Sequence, residues 1–140
     1  MKLSTTRSRA GSRLFLIGTL TLVLTSVAHA ADWSSIGLYE QGTFYIDRDS
    51  LTRDGNTRKV WTMLDYRQPQ TSHQGKAYRS TRSLLQFDCR DHRVKTLSLS
   101  RHTGTRLQGD TLTSEGVIAD WQPIPADTPM AKMAWVVCGQ

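Results

Sequence analysis

The chain is 140 residues long, with 18 Lys+Arg, 12 Asp+Glu and 38% hydrophobic residues. That length holds one domain with one modest core and is too short for several. Four of the cations, Lys2, Arg7, Arg9 and Arg13, fall in the first thirty residues, leaving 14 cations against 12 acids and a net charge of +2 beyond them. A balance so near neutral is no electrostatic footprint for nucleic acid.

Residues 1–30 read as a secretory signal peptide: a basic head without acids, an apolar run over 14–27, then the small-residue exit Ala28-His29-Ala30. Thr19, Thr21, Thr25 and Ser26 dilute a run already shorter than the ~20 residues a bilayer requires, which disfavours a membrane span. The reading predicts cleavage before Ala31 and a mature domain over 31–140. It places that domain in the periplasm or at the cell surface, with no membrane span. No cysteine stands at the cleavage site to accept a lipid, and no adjacent arginine pair of the twin-arginine type occurs.

Within 33–47, Ile36 and Leu38 alternate with small or polar neighbours, and Phe44-Tyr45-Ile46 follows Gly42. Gly37 and Gly42 disfavour a helix, so the segment reads as a hairpin or two short strands. Asp54-Gly55-Asn56 marks a tight turn. Asp47, Asp49 and Asp54 do not form a calcium loop, since aligning Gly55 with the loop glycine puts Ser50 and Thr52 where ligands belong. Residues 58–66 alternate strongly, with Val60, Thr62, Leu64 and Tyr66 on one side and Trp61, Met63 and Asp65 on the other. Residues 68–75 read as a loop.

A second long strand is expected over 78–89, with Leu85, Phe87 and Cys89 sharing a face. After an Asp-rich turn, 93–100 reads as its hairpin partner, with Leu97 and Leu99 opposite Val94 and Thr96. Residues 111–118 supply a further short strand. Trp121, Pro123 and Pro125 then punctuate the chain, Asp127 or Thr128 can cap a helix, and Pro129 suits its first turn. Met130, Met133, Ala134 and Val137 recur at helical spacing, which predicts a helix over 129–137. The Met and Trp positions read as core. The expected fold is α+β and mostly β: an antiparallel sheet with one C-terminal helix packed on it.

The chain has two cysteines, Cys89 and Cys138. In an oxidising compartment an isolated pair forms a disulfide. A redox couple or metal site lacks support, because there is no C-x-x-C and the histidines are scattered. No catalytic signature is present: no G-x-S-x-G, H-E-x-x-H, P-loop or G-x-G-x-x-G. His92 is expected in a turn and His102 near a strand end, both exposed. No catalytic, cofactor-binding or metal-ligating residue is assigned, and none of those groups is expected.

Several stretches together resemble the surface-adhesin protein E family of Gram-negative bacteria. They are Phe44-Tyr45-Ile46-Asp47 with Ser50-Leu51, then 60–66, Tyr78-Arg79-Ser80, Phe87-Asp88-Cys89, Trp121, Pro125 and Val137-Cys138. The resemblance spans nearly all of 31–140. It implies an antiparallel sheet of about six strands flanked by a helix, capture of host proteins such as vitronectin, laminin and plasminogen, and homodimers. It carries no ligand motif, so no site residue follows from it. The family's best-known adhesin resembles a lipoprotein, and this chain departs from it in having no lipid-acceptor cysteine.

The functional expectation is a non-enzymatic envelope protein that binds a protein or glycan, host extracellular-matrix or serum proteins included, through a sheet face or edge. Arg79, Arg82, Arg90, Arg93 and Arg101 are the candidate positive face; the competing reading is that they are dispersed and solvated. The alternative function is a periplasmic inhibitor or accessory module of the lysozyme-inhibitor kind, suited to a rigid disulfide-linked domain. A hydrolase whose residues converge only in three dimensions is a third.

Overall fold

A computed structural model describes Leu3, residues 31–116 and residues 119–139. Apart from Leu3, the expected signal peptide lies outside the described residues, as does the far end of the 111–118 strand. The elements run β1 (Trp33–Leu38), β2 (Gly42–Asp47), β3 (Thr52–Asp54), β4 (Thr57–Thr71), β5 (Ala77–Asp88), β6 (Arg93–His102), β7 (Thr111–Gly116), β8 (Gln122–Pro123) and α1 (Pro129–Cys138). Two single 3-10 turns, Arg48–Ser50 and Thr105–Leu107, interrupt them.

All strand pairs are antiparallel. The sheet order is β1-β2-β4-β5-β6-β7, with β3 also beside β4 and β8 also beside β6, so eight strands fill six lanes. Short connections between sequence neighbours favour this meander. The β3–β4 hairpin closes on Gly55, whose φ of +52° is open to glycine at little cost.

The core lies on one side of the sheet. Ile46, Val60, Leu85, Phe87 and Val94 meet Met133 and Val137 of α1. Alternation along each strand sends these side chains to the helix, and α1 answers with a stripe at i and i+4. Thr128 caps α1, its Oγ1 accepting from the Ala131 N–H at 3.1 Å. At the other end Cys138 is bonded to Cys89 just past β5, with Cα atoms 5.6 Å apart. Sheet and helix are thus stapled where the chain ends.

Four expectations are corrected. Residues 68–71 belong to β4 rather than to a loop: pairing with β5 skips an irregular stretch after Asp65 and resumes at Gln70 and Thr71. Pro69 falls in that skipped stretch, where no ladder donor is required. In β6 a bulge opposite Leu84/Leu85 inserts Leu97, so Leu99 faces the same side as Val94 and Thr96 rather than the opposite one. Trp135 is not core: it sits on the outer side of α1 and is 71% exposed. His102 is half-buried, unlike the exposed His92.

Candidate binding face

A helix of 10 residues is about 15 Å long and covers only one side of the sheet. The opposite side is built from the other parity of each strand. Cross-strand register aligns Tyr45 of β2, Met63 of β4, Arg82 of β5 and Ser100 of β6 in one row. The next row holds Trp61, Leu84 and Ser98, and the one after it Lys59, Gln86 and Lys95. The segment 103–110 folds back over one end of this side. Its backbone is fixed by Ser80, which donates to the Gly104 carbonyl at 2.7 Å and accepts from the Leu107 N–H at 2.9 Å. Asp65 accepts from the Arg106 N–H at 3.0 Å. This cover leaves Met63 at 1% exposure although α1 is on the other side.

The helix-free side carries cations set on rings. The Arg82 guanidinium lies 3.8 Å from the Trp61 ring centroid. Arg106 lies 5.0 Å from Tyr45, and Lys95 lies 4.6 Å from Trp121, which Arg93 also approaches at 5.5 Å. Each such contact is worth about 0.5–1 kcal/mol where exposed. Among the described residues the ion pairs are those of Arg93 with Asp88 at 2.8 Å and Asp91 at 2.9 Å. The side-chain charges of Arg82, Lys95, Arg106 and Lys59 form no ion pair among the described residues, although the Arg106 backbone N–H is held by Asp65. The acid of matching parity on β2, Asp47, is 6% exposed.

The five arginines singled out from the sequence do not share one face. Arg82 occupies the centre of the helix-free side. Arg93 stands at its end, where its hydrogen bond holds Asp88 below the usual carboxylate range and Asp88 in turn raises Arg93. Arg90 is exposed in the adjoining turn. Arg79 is half-buried, with Nε sequestered. Arg101 points to the helix side, where Nη1 donates to Thr113 Oγ1 at 3.2 Å. Beside it Tyr66 packs edge-on against Tyr78, and burial pushes its phenol up. Lys59, Lys95 and Arg106 were not singled out. The first two share strand parity with Trp61 and Arg93, a signal present in the sequence; Arg106 reaches the face only through a turn with positive φ at Arg106 and Leu107.

One contact has the form of a catalytic pair. Ser100 Oγ lies 3.0 Å from His102 Nε2. The other ring nitrogen faces the Thr111 hydroxyl at 3.4 Å, not a carboxylate. Burial, then the charge of Arg82, depress the His102 pKa. A serine activated by histidine requires the imidazolium to be stabilised as it forms, and this setting does the reverse. No group of three or more His, Cys, Asp or Glu able to hold a metal exists among the described residues. Nor does any described helix have the length and apolarity to cross a membrane.

The chain is thus a disulfide-tied antiparallel sheet with one face under a helix and the other carrying half-buried rings beside half-buried or exposed cations. The family model for surface-adhesin protein E matches residues 33–139, and the chain belongs to that family. The fold is also that of solved structures of Haemophilus influenzae protein E. One is 16% identical, covers 81% of this chain and 91% of that one, and superposes with a TM-score of 0.57. The selenomethionine form is 15% identical over 81% and 93% of the chains, with a TM-score of 0.57. Crystal form II is 14% identical over 69% and 80%, with a TM-score of 0.55. No curated protein matches the chain.

Proposed function

We propose that this adhesin-family chain is exported through residues 1–30 and freed by cleavage before Ala31. It then acts at the cell envelope as a non-catalytic module that binds a macromolecular partner, host extracellular-matrix or serum proteins among them. The partner engages the side of the sheet that α1 leaves open. One observation carries the reading: Arg82 rests on Trp61 at the centre of that side, with no ion-pair partner among the described residues. A cation held in place without an ion pair is available to complementary charge, which steers association. Family membership supports the same direction.

The test is solid-phase binding of the purified protein to immobilised vitronectin, laminin and plasminogen, with cell fractionation to locate it. Saturable binding that falls at least about tenfold in R82Q/K95Q, and holds in R48Q/R53Q, is the expected result. Binding unchanged in the first pair removes the open face as the partner surface.

A further inference from the structure

We propose, building on that binding reading, that the open sheet face is a site for a sulfated polysaccharide, gripped by cations that aromatic side chains hold at fixed spacing. Three rings act as pedestals. Tyr45 on β2 carries Arg106, Trp61 on β4 carries Arg82, and Trp121 just before β8 carries Lys95. The lanes from β2 through β4, β5 and β6 to β8 span about 19 Å at the usual strand spacing. The result is a row of positive groups whose side-chain freedom is already reduced before any ligand arrives. Long cationic side chains ordinarily lose rotamer entropy on binding, so this preorganisation favours a ligand that needs several of them at once.

The shape of the face selects among acidic partners. Two clefts, one of 240 Å³ lined mostly by helix-side residues such as Leu64, Leu99 and Met130 and one of 510 Å³ beside the disulfide and Trp135, include none of the pedestal cations. A protein partner with an acidic patch can meet the same cations; what favours an extended polymer is their spread across several lanes of the sheet. A linear polymer with a charge on every unit needs no pocket. Single-stranded nucleic acid is disfavoured for a different reason. Bases bind by stacking on open aromatic faces, and here each ring already carries a cation of its own chain. The residues between the cations, Ser98, Ser100 and Gln86, add hydroxyl and amide donors on the same side. Arg82 suits sulfate well, because a guanidinium offers paired N–H groups to an oxyanion while stacked.

The test uses the protein expressed from its full-length sequence and purified. Its binding to immobilised heparin is measured across a salt series, with hyaluronate and a single-stranded DNA of matched length as comparators. Heparin should bind, with log affinity falling against log salt at a slope near three, one for each pedestal cation. Hyaluronate and DNA should bind at least about tenfold more weakly. R82Q/K95Q/R106Q should lose heparin binding by about a hundredfold or more, while R48Q/R53Q/K132Q, which removes the same charge from the helix side, should retain it. W61F keeps every charge and a smaller pedestal and should cost about two- to fivefold; circular dichroism reports whether each variant is folded. Equal losses in the two triple variants would overturn the site, as would DNA binding as tight as heparin. If heparin fails while the matrix proteins still bind through Arg82, the polysaccharide is wrong and the broader reading stands. If neither binds, both fall.

Discussion

Replacing both Cys89 and Cys138 by serine removes the one covalent tie between sheet and helix. The two residues are 49 apart in sequence. Opening a loop of that size restores chain entropy to the unfolded state worth about 4 kcal/mol. A domain of this size is stable by only about 5–15 kcal/mol in total. With an unfolding entropy of about 2.1 cal/mol/K per residue over some 110 residues, the loss lowers Tm by about 17 °C. Native packing is largely spared, because Met133 and Val137 still fill the core from α1. The assay is thermal and urea unfolding followed by circular dichroism, with the wild type measured in the presence and absence of reductant. Reduced wild type and the double serine variant should coincide. A loss below about 1 kcal/mol would refute the reasoning, since it would mean that the helix restrains the chain as well without the bridge.

Two further outcomes follow from local chemistry. Burial and Arg82 depress the His102 pKa in the folded state, so the unfolded chain takes up this proton first; stability falls as pH drops below the ordinary histidine value of about 6.5. Urea titrations of wild type and H102Q should diverge over that window, with the variant flatter, and parallel curves would contradict the assignment. Thr128→Ala deletes the α1 cap and should cost about 1 kcal/mol in the same titrations, whereas Thr128→Asp should restore most of it.

Much of the fold was legible because it rests on period-two alternation and capping chemistry. Val60, Leu85 and Phe87 announce the buried side of two long strands, and Thr128-Pro129 announces the helix. What misled was register. Nothing in the string Val94 to Leu99 signals that Leu97 is squeezed out as a bulge, and a single inserted residue reverses the side on which Leu99 emerges. Pro69 looked like a loop because prolines break ladders, yet a strand can carry one where pairing lapses. Trp135 looked like core because large aromatics usually are; helical phase puts it two residues from Met133 and from Val137, on the far side of α1.

The proposed binding face was less legible than the fold. The five arginines chosen from sequence number include Arg82, its centre, but also Arg101 and Arg79, which strand parity separates from it. Lys59 and Trp61 lie on β4, Lys95 on β6 and Trp121 just before β8, and their convergence depends on pairings between segments distant in sequence, such as Lys59 with Gln86 and Val94 with Gln122. Arg106 depends on a turn whose geometry no residue pattern announces. Alternation places a side chain on a face, but only the pairing register says which faces join.

The most direct measurement is lysine footprinting of the protein with and without its partner, heparin or an immobilised matrix protein. Outside the first thirty residues there are four lysines. Lys59 and Lys95 belong to the open face, whereas Lys76 lies in the β4–β5 connection and Lys132 on α1. Acetylation of Lys59 and Lys95 should slow at least about fivefold on binding, with Lys76 and Lys132 unaffected. Protection of Lys132 with Lys59 and Lys95 left reactive would place the partner on the helix side and contradict the account.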